Sequence, residues 1–197
     1  MATRAGIIED RYARQIDFEK RRAAQEQLGK EHEPAFGAFL AHAGKDVFRE
    51  VRQGTETEDH EMIDFVATLK NGKQIAIQYS IAQDREIQLT KLKMVEHRPV
   101  VGKLFDEQGR AVIVEQMPRV LIFGGKPEEW RAALEHHQRG DAPQTYFSDT
   151  EARSNFLLEQ FIRNFEYLAY KHPRLRNFFL EYISYMEPGI RTTDQAA

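Results

Sequence analysis

The chain contains no cysteine, so disulfides and cysteine-bound zinc are excluded, and a reducing compartment is compatible with it. No stretch approaches the roughly 20 consecutive apolar residues of a membrane span. The first 20 residues mix charges of both signs and lack the apolar centre of a secretory signal. There is no Gly-x-Ser-x-Gly, and Gly124-Gly125 before Lys126 lacks the length and spacing of a phosphate-binding loop. Internal repeats and low-complexity tracts are missing as well. Excess charge of one sign is missing too: the net charge is −3 on a chain of 30% charged residues, which neither requires nor excludes nucleic acid. These absences leave a cytoplasmic, soluble protein as the expectation, with no membrane partner.

What remains is enough for one domain with a helical extension: 197 residues, 41% of them hydrophobic. The most informative stretch is 60–80. Met62 to Leu69 is rich in strand formers, Lys70-Asn71-Gly72-Lys73 is a hairpin signal, and Ile75, Ile77 and Tyr79 then alternate with Gln74, Ala76 and Gln78. Antiparallel pairing of the two runs brings Asp64 beside Gln78 and Ser80. Such a cluster is either a metal site or simply a polar strand end.

Around this hairpin the pattern predicts a helix over 6–28, with Ile8, Tyr12 and Ile16 as a thin stripe. Gly29 is expected to end it. A second helix enters through Glu33 and Pro34, buries Phe36, Phe39 and Leu40, and stops at Gly44. Val47–Val51 reads as a strand and Thr55–His60 as a solvated acidic connection. Asp84 can cap a helix to about His97, closed by Pro99, with Arg85, Lys91, Lys93, His97, Arg98 and then Lys103 as the most basic part of the chain. A turn at 107–109, a short strand at Ala111–Val114, a strand buried on both faces at Val120–Phe123 and a helix from Pro127 to Gly140 follow. A linker, 141–148, leads to aromatic helices over about Asp149–Lys171 and Arg174–Glu187, which form either a hairpin on the sheet or a homodimer interface. The tail 188–197 is expected to be disordered. The domain division is thus 1–28, 29–140, 149–187 and 188–197. His136 and His137, about 100° apart around a helix, cannot share one metal.

The order helix, three strands, helix, strand, helix from Glu33 to Gly140 resembles the core of the restriction-endonuclease-like superfamily, the PD-(D/E)xK nucleases. It is most similar to the branch that holds archaeal Holliday-junction resolvases and their small bacterial relatives. Two segments carry the resemblance: Gly29-x-x-x-Glu33 followed by Leu40 and Gly44, and Glu61-Met62-Ile63-Asp64-Phe65-Val66. The resemblance covers a little over half of the chain, leaving out both ends. The resemblance implies an α/β fold with a mixed sheet, and Glu33, Asp64 and Gln78 around Mg²⁺ or Mn²⁺. It also implies a nuclease site of Asp64, Gln78 and Ser80. The departure is the third-strand triplet. The family's Glu-x-Lys is Gln78-Tyr79-Ser80 here, so one ligand charge and the motif ammonium are missing. Lys91 or Lys93, on the following helix, can replace that ammonium; Lys73, at the far end of its strand, cannot. Arg85, Lys91, Lys93, Arg98 and Lys103 are candidate contacts to a DNA or RNA backbone, with no base-reading motif in view. Three readings stay open: a divergent metal-dependent phosphodiesterase, a nuclease fold retained for binding, and an assembly domain using the aromatic C-terminal helices.

Overall fold

The computed structural model describes residues 4–81, 83–106 and 108–189. It is an α/β protein whose mixed five-stranded sheet is flanked by helices. The elements run α1 (Arg4–Ala43), β1 (Phe48–Gln53), α2 (Glu56–His60), β2 (Phe65–Leu69), β3 (Gln74–Ser80), α3 (Arg85–His97), β4 (Val100–Phe105), β5 (Ala111–Phe123), α4 (Pro127–Gln138), α5 (Thr150–Lys171) and α6 (Arg176–Met186). Among the described residues no helix is long and apolar enough to cross a membrane.

The hairpin forms where its residues demand it. Leu69 N–H bonds Lys73 O at 2.7 Å, Gly72 takes φ +90°, and the Asn71 side chain accepts from Lys73 N–H at 3.0 Å. Phe65 then faces Ile77 and Ala67 faces Ile75, so β1, β2 and β3 are antiparallel. Strand β5 joins β3 in parallel, with Ile77 opposite Val120 and Tyr79 opposite Ile122, and β4 closes the order β1-β2-β3-β5-β4. Beyond Pro118 the partner of β5 is no longer β4. Asn164 and Gln160 of α5 take over: each side-chain amide both accepts from and donates to the backbone of Leu121 or Phe123, at 2.9–3.0 Å.

The main core lies where α1, α4 and α5 meet the sheet. Phe36 stacks on Tyr79 at 3.9 Å, and Trp130 meets Phe36, Phe39, Tyr79 and Phe147 edge-on. The C-terminal helices spend their aromatic stripe on this core: Phe161, Phe165, Phe179 and Tyr182 are all buried. A closing turn, Glu187–Gly189, seats Gly189 where a Cβ would collide with Val47; the remainder of the expected tail, 190–197, lies outside the described residues.

Several expectations need correction. Gly29 does not end a helix; α1 is one helix of 40 residues with Pro34 inside it, so the helix continues across the expected boundary at 28. An interior Gly and Pro together cost a helix about 4 kcal/mol. Burial of Phe36, Phe39 and Leu40 against the sheet returns about 2 kcal/mol each, which outweighs that penalty. The side chains of Ile8 and Tyr12 are not among those described; Ile16 is exposed. Ala111–Val114 and Val120–Phe123 belong to the one 13-residue strand β5, and its partner β4 comes from Val100–Phe105, where no strand is read from the sequence. The linker at 141–148 is docked, with Tyr146 buried and Phe147 against Trp130.

The acidic connection at 55–60 is only partly solvated: Glu56 and His60 are exposed, and Glu58 is not. It forms the short helix α2, capped by Thr55 in a capping box with Glu58. Glu58 has no exposed surface. Its carboxylate takes a two-pronged pair from Arg52 at 2.7 and 2.9 Å, Thr55 N–H at 2.9 Å and Phe105 N–H at 3.1 Å. Burial alone would raise its pKa, but these donors outweigh it and hold the carboxyl below its ordinary range.

Two stability measurements follow from this architecture. In urea titrations, Gly29→Ala stabilises the protein by about 1 kcal/mol, because a Cβ there meets nothing within 4 Å and the backbone is helical. A loss of stability would mean that the helix ends at Gly29. Glu58→Ala destabilises by about 3 kcal/mol or more, since it strands Arg52 and two backbone donors at once.

Candidate functional site

A cleft of about 710 Å³ opens at the end of the sheet where β2 begins and β3 finishes. One wall is α1, which presents Phe18, Arg22, Glu26, Lys30 and Glu33. These five recur at steps of four, four, four and three, one face of an uninterrupted helix. Lys91, Met94 and Thr90 of α3 form the opposite wall. Asp59 of α2, Met62 and Asp64 from the segment between α2 and β2, and Gln78 and Tyr79 of β3 form the floor. Arg21 joins the walls by an ion pair to Asp84, the side chain that caps α3 through the N–H groups of Glu86 and Ile87.

Asp64 sits one residue before β2, at a bend the chain makes through Met62. Met62 has φ +62°, in the left-handed region that a non-glycine residue enters only at a cost of about 1–2 kcal/mol. Contacts on both sides hold it there: Met62 N–H bonds Asp59 O at 2.8 Å, Ile63 N–H bonds Glu58 O at 2.9 Å, and Gly54 N–H bonds Asp64 O at 2.7 Å. The Asp64 carboxylate accepts from Tyr79 N–H at 2.6 Å. Burial is the largest influence on it and pushes its pKa up to about 7; the Tyr79 N–H opposes, the Glu33 charge adds to the rise, and Lys91 pulls it back.

Glu33 is half-buried, is raised chiefly by burial, and accepts from Gln53 Nε2 at 2.9 Å. Lys91 is pulled below the usual lysine range by burial, while Asp64, Glu26 and Glu33 attract its charge. It makes no ion pair or hydrogen bond among the described residues. Lys30 is paired with Asp59 at 2.8 Å. Gln78 is only 6% exposed, and its Oε1 has no partner. The cleft therefore holds two reluctant carboxylates, a free carbonyl oxygen and a reluctant ammonium.

Of the residues singled out from sequence, Glu33, Asp64, Gln78 and Lys91 meet in this cleft. Ser80 does not line it: two residues further along β3, it is buried opposite Phe123, with its carbonyl bonded to Gly124 N–H. Lys93 is exposed and outside the cleft, as is Arg85. Arg98 lines the mouth and pairs with Glu61 at 3.5 Å, while Lys103 lies on β4 beside a neighbouring cavity. Lys73 is engaged at the far end of the sheet by Glu181 at 3.1 Å. His136 and His137 turn to different partners, Asp141 and the Tyr146 hydroxyl. The contribution of Phe18, Arg22, Glu26 and Lys30 escapes a reading that stops α1 at Gly29, although their spacing carries the signal. Among the described residues no three His, Asp or Glu side chains gather as a metal-binding group. No family model, curated protein or solved structure matches the chain.

The raised Asp64 gives a signed pH dependence. In the folded protein it keeps its proton up to about 7, whereas its ordinary value is 3.8. Between those values the folded state binds a proton that the unfolded state has lost, so this contribution is complete below the lower value and is lost as pH rises through the upper one. Asp64→Asn cannot ionise. It melts above wild type at pH 8, by a margin on the order of 4 kcal/mol at most, and the margin closes towards pH 4. Paired thermal melts that keep a constant gap across this range would contradict the assignment.

Proposed function

We propose that the protein is a nucleic-acid-associated phosphodiesterase of the PD-(D/E)xK kind in which Lys91 does the work of the missing motif lysine. The observation that carries the reading is the convergence of Lys91 with Glu33 and Asp64 in one half-buried cleft. With the short helix α2 and the strand β4 set aside as additions, the order α1, β1, β2, β3, α3, β5, α4, with β5 parallel to β3, supports the resemblance to the restriction-endonuclease-like core.

Each residue has a role its environment suits. Burial disfavours the charged form of Lys91, so its amine is freed to accept a proton from water more readily than an ordinary lysine's. Tyr79 N–H fixes one oxygen of Asp64 and leaves the other for the cleft. Glu33, Asp64 and Gln78 Oε1 offer the hard oxygen donors that suit Mg²⁺ or Mn²⁺, which when bound would supply Lewis acidity to a phosphate. Two carboxylates and one neutral carbonyl make a weak set, so several waters would complete the coordination. Because Asp64 must lose its proton to serve as a ligand, affinity for the metal rises with pH up to about 7. Arg22, Lys30 and Arg98 along the cleft give a polynucleotide backbone its counter-charges.

The amide at position 78 also favours a second reading, a binding module without turnover. Cleavage of single-stranded, branched and duplex DNA and RNA in Mg²⁺ or Mn²⁺ separates the two. Wild type is expected to cleave; Asp64→Asn and Lys91→Met lose at least about 100-fold, and Lys93→Ala stays at the wild-type rate. A Lys91→Met variant that cleaves like wild type sinks the role given to Lys91. Salt-dependent binding without cleavage in any variant selects the binding module.

A further inference from the structure

Behind the cleft, and sharing His97 and Arg98 with it as a common wall, is a second cavity of about 570 Å³. It lies between the end of α3, strand β4 and the middle of β5. Arg119 of β5 lines it and is only 3% exposed. Its backbone N–H bonds Pro99 O at 2.8 Å, but Nε and Nη1 of its guanidinium have no partner. The surroundings explain why. Arg119 stands opposite Ala76 on β3, a side chain with nothing to offer, and its face of the sheet otherwise carries Ile63, Val66, Val101 and Met117.

An arginine in such a place stays charged and is destabilising unless the charge is compensated. Burial is the main influence on it and weakens its hold on the proton; Arg98 repels it further, and Glu61 attracts it. Glu61 is no substitute for a partner, because it is already engaged by Arg98 and makes no ion pair with Arg119. Lys103, held over the Phe105 ring at 5.3 Å, lines the same cavity. Three cations thus face one carboxylate around a space ample for a small anion. A guanidinium with two unfilled donors suits a tetrahedral oxyanion, to which it can bond through both prongs.

We propose that this cavity is a phosphate-binding site, with the Arg119 guanidinium as its buried fixed charge and Arg98 and Lys103 as its rim. The phosphate comes either from free solution or from the backbone of a polynucleotide that also enters the neighbouring cleft. The site stands on Arg119 and its surroundings and does not require that the cleft be hydrolytic.

The test uses the full chain without added metal and measures melting temperature and calorimetric heat during titration with inorganic phosphate at fixed ionic strength, with chloride and acetate as controls. Wild type is expected to gain a phosphate-specific rise in melting temperature. Arg119→Met removes the charge at similar volume: it melts no lower than wild type in phosphate-free buffer and binds phosphate at least tenfold more weakly. Asp64→Asn, altered only in the cleft, binds phosphate like wild type whether or not the protein cleaves nucleic acid. Absence of a phosphate-specific response in wild type, or an Arg119→Met response equal to wild type, overturns the proposal. Should Arg119→Met fail to fold, the exposed pair Arg98→Ala, Lys103→Ala takes its place, and a wild-type response from it overturns the proposal equally. A short single-stranded DNA then identifies the source: competition with phosphate, and weaker DNA binding by Arg119→Met, assigns the site to the backbone, and indifference assigns it to free phosphate.

Discussion

The carboxylate of Glu58 is the constraint on which the rest of the site depends. A fully buried acid must have its lone pairs filled, and four donors fill these: two from Arg52 and one each from the backbones of Thr55 and Phe105. Those donors come from β1, the cap of α2 and the end of β4, so one side chain ties both outer strands to the segment that delivers Asp64. Ile63 N–H bonds the Glu58 carbonyl, and from there the chain can reach the floor of the cleft only through the left-handed turn at Met62. Two residues of opposite character therefore share one job. Glu58 is satisfied and rigid, and Met62 is strained and held, and Asp64 is presented by both.

Beyond that junction the molecule places charge where burial opposes it. Asp64 and Lys91 are each driven towards their neutral forms by desolvation, and each is pulled back by the other. Burial has the larger effect on both. Such a pair stabilises the fold little, but it leaves Asp64 poised to exchange its proton at about 7, which an exposed aspartate could not. The contrast with Lys30 and Asp59 is instructive. These are paired directly at the cleft's edge, and the pair holds Lys30 above its ordinary range. Asp64 and Lys91, more deeply buried, make no such ion pair among the described residues.

Much of this was legible in the residues. Asn71-Gly72 gives the hairpin because a tight turn needs the φ that Gly72 adopts, and Asp84 caps α3 with the side-chain bonds its chemistry suggests. Phe161 and Phe165 on α5, and Phe179 and Tyr182 on α6, stand at helical spacing because each helix buries one face. What escaped was set by partners distant in sequence. The Thr55-x-x-Glu58 spacing marks Glu58 as a capping-box residue, but its burial appears only when Arg52 and Phe105 N–H are seen around it. Val100–Phe105 becomes a strand because β5 is there to pair with it, and Gly29 and Pro34 stay helical because the aromatic face just beyond them is anchored to the sheet. Asp64, Gln78 and Glu33 were visible as a set. Ser80 was misplaced because it lies beyond the end of the cleft, and Arg119 was passed over because a lone arginine in an apolar strand looks like a surface residue.

The length of α1 adds a mechanical consequence. Its C-terminal half is clamped in the aromatic core through Phe36 and Phe39, while its preceding turns form a wall of the cleft. Pro34 lies at the boundary, where the helix lacks a backbone donor and bends most easily. At 1.5 Å per residue, Phe18 stands about 24 Å from that point, so a tilt of about 10° moves it by about 4 Å. On that geometry a small change of angle at Pro34 would become a large change of aperture at the mouth, and the pair between Arg21 and Asp84 is a contact that such a tilt would have to break.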